Sequence, residues 1–292
     1  MCTSTYAPAP DLPPTLRSQP VPTFHLVDAF TTRPFAGNPA GVVVLDAGPV
    51  DAAWAQHVAA EVRASETAFV HPEGGTWRLR WWTPTAEVAL CGHATLATAH
   101  VLFQAGLADP DAPCRFVTRS GELRTVRRKG EDGEVIAMDL PAWPLGSHPE
   151  PRDLAAALGG VSGRYLGRTD GDQPNHVAEV ASATALDALD PDLGAVRSLG
   201  ATGLIVTAPG DGDVDLVSRY FAPNVGVDED PVTGSAHATL GPLWAERLGR
   251  RQLLADQRSA RGGRLHLDVS DDRVEVAGQA VTVIDGHLLA AP

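Results

Sequence analysis

Lysine is almost absent from this sequence of 292 residues. Because Lys129 is the single lysine, the chain has no spare lysine to act as a Schiff-base nucleophile. The formal net charge is −13, and no basic stripe is present that would neutralise phosphates. The sequence therefore predicts no nucleic-acid partner, and the negative charge indicates solubility.

Cysteine and long apolar runs are scarce as well. Cys2, Cys91 and Cys114 cannot form a disulfide framework, and their spacing matches no zinc pattern, which favours a reducing, cytoplasmic location. No stretch is long and apolar enough to span a membrane. The first 22 residues contain six prolines and no apolar segment, so they do not form a signal peptide. We predict a disordered extension over residues 1–22.

The remaining length suffices for two ordinary domains. Hydrophobic residues make up 43% of the chain and charged residues 20%, as is typical of a soluble globular protein. Pro141 and Pro144 mark a boundary between the domains. We expect an N-terminal domain over residues 23–142 and a C-terminal domain over residues 143–292, with the final strand free to return to the first domain.

The first domain shows alternating strand and helix patterns. Strands are predicted at residues 24–30, 42–45, 67–70, 77–82, around 116, and at 135–140. Asp51 is a predicted N-cap for a helix that ends near Val62. A second helix is predicted from His93 to Gln104, with Gly106 closing it. This helix carries no charged residue, so we expect it to be buried in the middle of its domain.

The second half repeats the first. RYFAP at residues 219–223 matches RWWTP at residues 80–84, and HATL occurs at residues 93–96 and again at 237–240. Aligned on HATL, the second half is five residues longer between the arginine and the helix. In that alignment Cys91 corresponds to Ser235. At the start of the hairpin strand in each half, Gly203 takes the place of Glu66. The pattern predicts an internal duplication.

Two helix starts in related places suggest a shared ligand site. Free backbone N–H groups near Gly92 and Gly234 can hold a carboxylate, and glycine allows a ligand to approach closely. Ordinary capping and tight packing would explain either segment alone. Their symmetric placement favours a site between the halves.

Four side chains are candidates for the chemistry, each with a structural alternative. Glu66 is a candidate base, or a solvated surface charge. Asp230 is an orienting carboxylate, or a hydrated turn before proline. His93 is an acid/base partner that titrates near neutral pH, or a packed core histidine. Cys91 at a helix N-terminus is expected to have a lowered pKa and to act as base or nucleophile.

Two further classes of site are disfavoured. A two-thiol racemase needs a thiol on each face of its substrate, and only Cys91 is available here. Cys91, His93 and His100 lie close in sequence, but no acidic ligand completes a metal set, so no metal is expected.

Several strings carry a family resemblance: FAGNP at residues 35–39, SET at 65–67, TPTAE at 83–87, CGHAT at 91–95 and EDPVTGS at 229–235. From about Thr23 to its end, the chain resembles the phenazine-biosynthesis PhzF-like isomerase family. The resemblance implies a diaminopimelate-epimerase-like α/β (α+β) fold. In that fold two pseudo-symmetric domains each wrap a sheet around a central helix, with the site in the cleft. It also implies a homodimer.

The resemblance further implies an activity and its residues. The well-studied relative isomerises trans-2,3-dihydro-3-hydroxyanthranilate without metal or coenzyme. Its catalytic residues fall on Glu66, His93 and Asp230, and its ligand-contacting residues on Ser65, Gly92, Gly234 and Ser235. The implied function is a proton shift on a small cyclic amino or hydroxy acid, a small-molecule carboxylate, with Glu66 as general acid/base. No cofactor is expected, and we expect domain closure to raise the pKa of Glu66.

Two alternatives remain open from the sequence. One is a Cys91-dependent racemase or epimerase. The other is a non-catalytic, small-molecule-binding relative.

Overall fold

The computed structural model describes residues 21–130, 133–171 and 173–290. All but the last two residues of the predicted N-terminal extension lie outside these ranges. Within the described ranges, no helix combines the length and apolar character needed to cross a membrane.

Seventeen strands and six α-helices make up the described part of the chain. The first eight strands are β1 (Thr23–Ala29), β2 (Asn38–Val44), β3 (Glu66–Glu73), β4 (Thr76–Trp82), β5 (Glu87–Val88), β6 (Cys114–Thr118), β7 (Gly121–Gly130) and β8 (Gly133–Pro141). The others are β9 (Leu145–Gly146), β10 (Gly163–Thr169), β11 (Asn175–Val180), β12 (Gly203–Pro209), β13 (Leu216–Phe221), β14 (Gln252–Gln257), β15 (Gly263–Val269), β16 (Arg273–Gly278) and β17 (Ala280–His287). The helices are α1 (Ala52–Val62), α2 (Gly92–Gln104), α3 (Leu154–Ala157), α4 (Ala183–Asp187), α5 (Leu193–Ser198) and α6 (Gly234–Leu248).

The strand pairing repeats in the two halves. From β1 to β4 the successive pairs are antiparallel, parallel and antiparallel; β4 then pairs with β6 in parallel, and β6, β7 and β8 follow as antiparallel neighbours. The same order of directions runs from β10 through β11, β12, β13, β14 and β15 to β16. This confirms the predicted pseudo-symmetric α/β halves.

Two antiparallel strand pairs join the halves. β8 pairs with β16, so that Met138 lies opposite Val276 and Leu140 opposite Val274. The last strand, β17, pairs with β1 at the edge of the first half, and Thr23 lies opposite His287. The sheet is therefore continuous from one half to the other.

Helix α2 lies in the middle of the first half, as predicted. It packs against β1, β2, β3 and β8, and its residues 93–99 are all buried. An uncharged sequence suits this position, because most of the helix surface is shielded from water, while its last turn is partly exposed. The helix ends at Gln104 with Ala105 as its C-cap, and Gly106 follows with φ +67°, a left-handed conformation that suits glycine.

Helix α6 has the same place in the second half. It packs against β14, β15 and β16 and also contacts β8. Its N-terminus meets that of α2, since a Cβ atom on Gly92 would lie 3.9 Å from the Cα of Gly234. The two central helices therefore begin at one point between the halves.

The smaller helix α1 covers the outer face of the sheet. The Asp51 side chain accepts a hydrogen bond from the Trp54 backbone N–H, which confirms the predicted N-cap. Its buried Val58 joins a core cluster that also contains Phe69 and Trp82. This packing fixes β3, the strand that begins at Glu66.

Candidate active site

A cavity of about 330 Å³ lies between the two halves, where the central helices begin. It is lined from the first half by Glu66, Cys91, Gly92 and His93, and from the second by Tyr220, Asp230, Thr233, Gly234 and Ser235. Six of the seven predicted site residues line this cavity. The seventh, Ser65, is not among the lining residues, and its hydroxyl donates to Asn38 Oδ1 at 3.3 Å.

The structure corrects the register of the internal repeat. Cys91 is the N-cap of α2 and Thr233 the N-cap of α6, so the helix starts align Gly92 with Gly234. The side chains of Thr95 and His237 bond the carbonyls of Cys91 and Thr233, respectively, each four residues back. The HATL strings are thus two residues out of register. Cys91 corresponds to Thr233, not to Ser235, and the extra length in the second half is three residues, not five.

Two ion pairs support this corrected register. Arg80 binds both carboxylate oxygens of Glu87, at 2.8 and 3.1 Å. Arg219 binds Glu229 in the same way, at 2.7 and 3.0 Å. Each glutamate lies five residues before the first glycine of its helix. In each half the pair ties a central strand to the segment that leads into the helix.

Glu66 is the first residue of β3, and its carboxyl group points into the cavity. Its side chain is 17% exposed, and Oε2 lies 3.3 Å from His93 Nε2. Burial raises the pKa of Glu66 to about 8, with a further contribution from the negative charge of Asp230. A hydrogen bond with Cys91 partly opposes this rise in pKa. Glu66 is therefore a stronger base than an ordinary carboxylate.

The corresponding position in the second half has no room for a side chain. Gly203 begins β12 as Glu66 begins β3, and the residues that follow pair with β13 and β4 in the same register. A Cβ atom on Gly203 would lie 2.6 Å from the carbonyl oxygen of Phe221 and 2.7 Å from the Tyr220 ring. No side chain fits there without displacement. At this position of the pseudo-symmetric scaffold, only the first half provides a carboxyl group.

His93 is buried against Glu66, but its ionisation differs from the prediction. Burial lowers the pKa of His93 to about 3, so the imidazole is neutral around pH 7. The expectation that it titrates near neutral pH is wrong, because burial disfavours the protonated ring even with the Glu66 carboxyl group beside it. A neutral imidazole can donate a hydrogen bond to Glu66, which orients the carboxylate.

Asp230 lies in the segment between β13 and α6, in the second half. Its Oδ1 accepts from Asn38 Nδ2 at 2.8 Å, and its Oδ2 accepts from the Thr233 hydroxyl. Burial raises the pKa of Asp230 to about 6, although these two hydrogen bonds act in the opposite direction. Asp230 is therefore largely ionised at neutral pH and faces Glu66 across the cavity.

The prediction for Cys91 is wrong. Burial and the nearby Glu66 carboxylate raise the pKa of this thiol well above its usual value, despite the helix N-terminus. Its Sγ lies 3.6 Å from His93 Nδ1. The residue is a protonated thiol that packs under the carboxylate, so it is poorly suited to act as a nucleophile or base.

The two helix starts remain available to a ligand. Neither the Cys91 nor the Thr233 side chain caps its helix by a hydrogen bond. Gly92, Gly234 and Ser235 all border the cavity. Backbone N–H groups at helix N-termini attract anions. This arrangement can hold a carboxylate between the halves.

Two buried amides near the site were missed by sequence reasoning. Asn38 Nδ2 donates to Asp230 and to the carbonyl of Val232, both at 2.8 Å. Gln257 Nε2 donates to the Asp230 carbonyl at 2.7 Å, and its Oε1 accepts from the Thr233 backbone at 2.8 Å. Asn38 lies in the FAGNP string, which drew attention to the segment but not to its contacts. Nothing in the sequence around Gln257 marks it.

A metal-type donor set also occurs here. Donor atoms of Glu66, Cys91 and His93 all lie within 4.8 Å of one another. Glu66 is the acidic ligand that was absent from the predicted set, whereas His100 bonds Thr282 elsewhere. Zinc accepts these three ligand types. However, the positive ends of two helices meet at the same place and disfavour a cation.

Comparison with known proteins places this site in a family. The family model described as phenazine biosynthesis-like protein matches residues 27–286. The chain belongs to this phenazine biosynthesis-like family. An uncharacterized isomerase of Pseudomonas aeruginosa is 48% identical over 265 residues, which cover 91% of this chain and 97% of that protein.

Solved structures agree. A PhzF-family protein of Enterococcus faecalis has a TM-score of 0.82 at 38% identity, covering 92% of this chain and 99% of that one. A hydroxyproline epimerase of Agrobacterium vitis has a TM-score of 0.60 at 10% identity, covering 92% and 93%. The second likeness shows the fold alone. The chain thus has the expected epimerase-like fold within a family whose curated members include named isomerases.

Proposed function

We propose that this member of the phenazine biosynthesis-like family is a cofactor-independent isomerase that moves a proton on a small cyclic amino or hydroxy acid. Glu66 is the general acid/base. The observation that carries this proposal is the Glu66 carboxyl group in the cavity, which has a pKa near 8. The equivalent position in the second half is Gly203, where no side chain fits. A substrate resembling trans-2,3-dihydro-3-hydroxyanthranilate suits the site, and we expect the protein to act as a cytoplasmic homodimer.

The proposed reaction has two proton transfers on one face of the substrate. The Glu66 carboxylate accepts a proton from an sp³ carbon, and the released electron pair spreads into the adjoining conjugated system. The protonated Glu66 then returns the proton to a distal carbon. A positioned acid/base contributes about 10²–10⁴-fold to the rate. The raised pKa of Glu66 brings it close to the working pH, where such a group is most effective.

Binding is assigned to the helix starts and to the second half. The N–H groups near Gly92 and Gly234 hold the substrate carboxylate, which the helix dipoles stabilise. Asp230 faces the bound molecule and accepts from its amine or hydroxyl group. The Nε2–H group of His93 faces the Glu66 carboxyl group and orients it. Fixed dipoles of this kind stabilise charge that develops during the reaction.

A ligand-bound structure tests the binding mode. We would soak crystals of the protein with 3-hydroxyanthranilate, a planar ring that carries a carboxylate, an amine and a hydroxyl group. The proposal expects the ring carboxylate between residues 92 and 235, with the ring beside Glu66. A carboxylate bound away from both helix starts would contradict this binding mode.

A racemase that uses Cys91 is the competing reaction. A two-thiol mechanism needs a second thiol, and the counterpart of Cys91 is Thr233. The raised pKa of Cys91 also disfavours a thiolate. A pure binding protein is the other alternative, and it would catalyse no exchange of carbon-bound hydrogen with heavy water.

A further inference from the structure

Asn38, the first residue of β2, joins the two halves beneath the cavity. It is completely buried. Its Nδ2 donates to Asp230 Oδ1 and to the Val232 carbonyl, each at 2.8 Å, and both acceptors belong to the second half. Its Oδ1 accepts from the Ser65 hydroxyl at 3.3 Å, in the first half.

These contacts fix which way the amide points. A backbone carbonyl can only accept, so the NH₂ group must face Val232 and the oxygen must face Ser65. The backbone of Asn38 is held as well, because it pairs with Ala29 of β1. The amide group is therefore not free to turn over.

The same NH₂ group faces His93. Nδ2 lies 3.2 Å from His93 Nδ1. An amide nitrogen has no lone pair with which to accept a hydrogen bond. A proton on Nδ1 would set a donor against a donor at this distance. The single proton of the neutral ring therefore belongs on Nε2, which lies 3.3 Å from Glu66 Oε2.

The other group beside the ring agrees with this assignment. Cys91 Sγ lies 3.6 Å from Nδ1 and 4.0 Å from Nε2. A thiol sulfur is a weak acceptor, so Cys91 gives little support to a proton on Nδ1, and its one S–H is engaged with Glu66. Asn38 Nδ2 contacts both Asp230 Oδ1 and His93 Nδ1, so the amide links these two residues.

We propose that Asn38 is a positioning residue that selects the Nε2–H tautomer of His93, so that the imidazole presents an N–H rather than a lone pair to Glu66 and cannot take its proton. The importance of this for turnover rests on the proposed function, but the tautomer itself does not. In the serine-protease triad, where the histidine is itself the base, the wrong tautomer lowers kcat by about 10⁴-fold.

His237 provides a reference inside the same molecule. Its Nδ1 lies 2.8 Å from the Thr233 carbonyl, and its Nε2 lies 3.2 Å from the Ser218 hydroxyl. The carbonyl can only accept, so His237 carries its proton on Nδ1. The two buried histidines are thus expected to show opposite tautomers.

The test is nitrogen NMR of the full chain labelled with ¹⁵N-histidine, near pH 7. Two-bond proton–nitrogen correlations distinguish the tautomers of each ring, and His93→Gln and His237→Gln variants assign the signals. We expect Nε2–H for His93 and Nδ1–H for His237 in the wild type. An Nδ1–H pattern for His93 in the wild type would overturn the proposal.

Variants at Asn38 test the cause. In Asn38→Asp an oxygen replaces the NH₂ group, and we expect His93 to shift to Nδ1–H while the His237 signals, which report the integrity of the fold, stay unchanged. In Asn38→Ala we expect an Nδ1–H population to appear. An unchanged His93 pattern in both variants would refute the role of Asn38. Retained turnover in Glu66→Gln would refute the proposed function while leaving these NMR results intact.

Discussion

Asp230 of the second half raises the pKa of Glu66 in the first half, across the cavity that they share. Burial is the larger cause of the raised pKa of Glu66, and the charge of Asp230 is the next. The base is thus tuned by a residue 164 positions away in the sequence. The duplicated scaffold brings the two carboxyl groups together and gives each a different environment.

Removal of that charge is expected to lower the pKa of Glu66. In Asp230→Asn we predict a fall on the order of one pH unit, measured by carbon NMR titration of the glutamate carboxyl group. The exposed Asp228→Asn removes the same charge two residues away and should leave the pKa of Glu66 unchanged. Equal pKa values of Glu66 in wild type and Asp230→Asn would contradict the assigned interaction.

The raised pKa of Glu66 has a cost in stability. A carboxyl group whose folded pKa lies above its unfolded value contributes stability that is fully present below about pH 4.5 and is lost as the pH rises toward about 8. Glu66→Gln carries no such penalty. We predict that it raises the free energy of unfolding by about 2–4 kcal/mol at pH 8 and by much less at pH 5.

Thermal or urea unfolding at the two pH values checks this. The exposed Glu61→Gln makes the same chemical change on α1 and should alter stability little at either pH. A Glu66→Gln variant that is less stable than wild type at pH 8 would show that the carboxylate is not strained by burial.

Cys91 is expected to be dispensable for chemistry. Because its hydrogen bond lowers the pKa of Glu66, Cys91→Ala should move the acidic limb of the pH–rate profile to higher pH. The rate at high pH should stay within about tenfold of wild type, whereas loss of an acid/base group costs about 10²–10⁴-fold. Cys114→Ala, another buried thiol, is the control. A larger loss in Cys91→Ala at every pH would favour the racemase.

Gly203 occupies the position that corresponds to Glu66, and its replacement by a larger residue is expected to disturb packing and lower stability. Gly203→Ala would place a methyl group 2.6 Å from the Phe221 carbonyl. We predict a destabilisation of about 1–3 kcal/mol, typical of overpacking, in denaturant unfolding. Gly286→Ala, whose Cβ would meet no atom within 4 Å, is the matched control. Equal stability of the two variants would contradict the close contact.

Much of this site was predictable, and the limits have physical causes. Strand patterns, the uncharged central helix and the duplicated strings indicated the halves and the cleft. The HATL repeat gave the wrong alignment of the two halves, because a short string can recur out of register. The correct alignment follows from the N-caps of the central helices, Cys91 and Thr233. The ionisation of Cys91 and His93 depends on how far burial outweighs the helix N-terminus and the neighbouring Glu66, and the local sequence does not show that balance. The role of Asn38 depends on its contact with Asp230, which lies 192 residues further along the chain and cannot be inferred from the local sequence.

The measurement that tests the central claim most directly is hydrogen exchange at carbon in heavy water. Wild type and Glu66→Gln would each be incubated with trans-2,3-dihydro-3-hydroxyanthranilate, and deuterium in the recovered molecules located by NMR. Binding of the same compound would be measured by calorimetry in parallel. We predict deuterium at a ring carbon with the wild type and none with Glu66→Gln, which should still bind. Exchange at the wild-type rate by Glu66→Gln would contradict the assignment of Glu66 as the base.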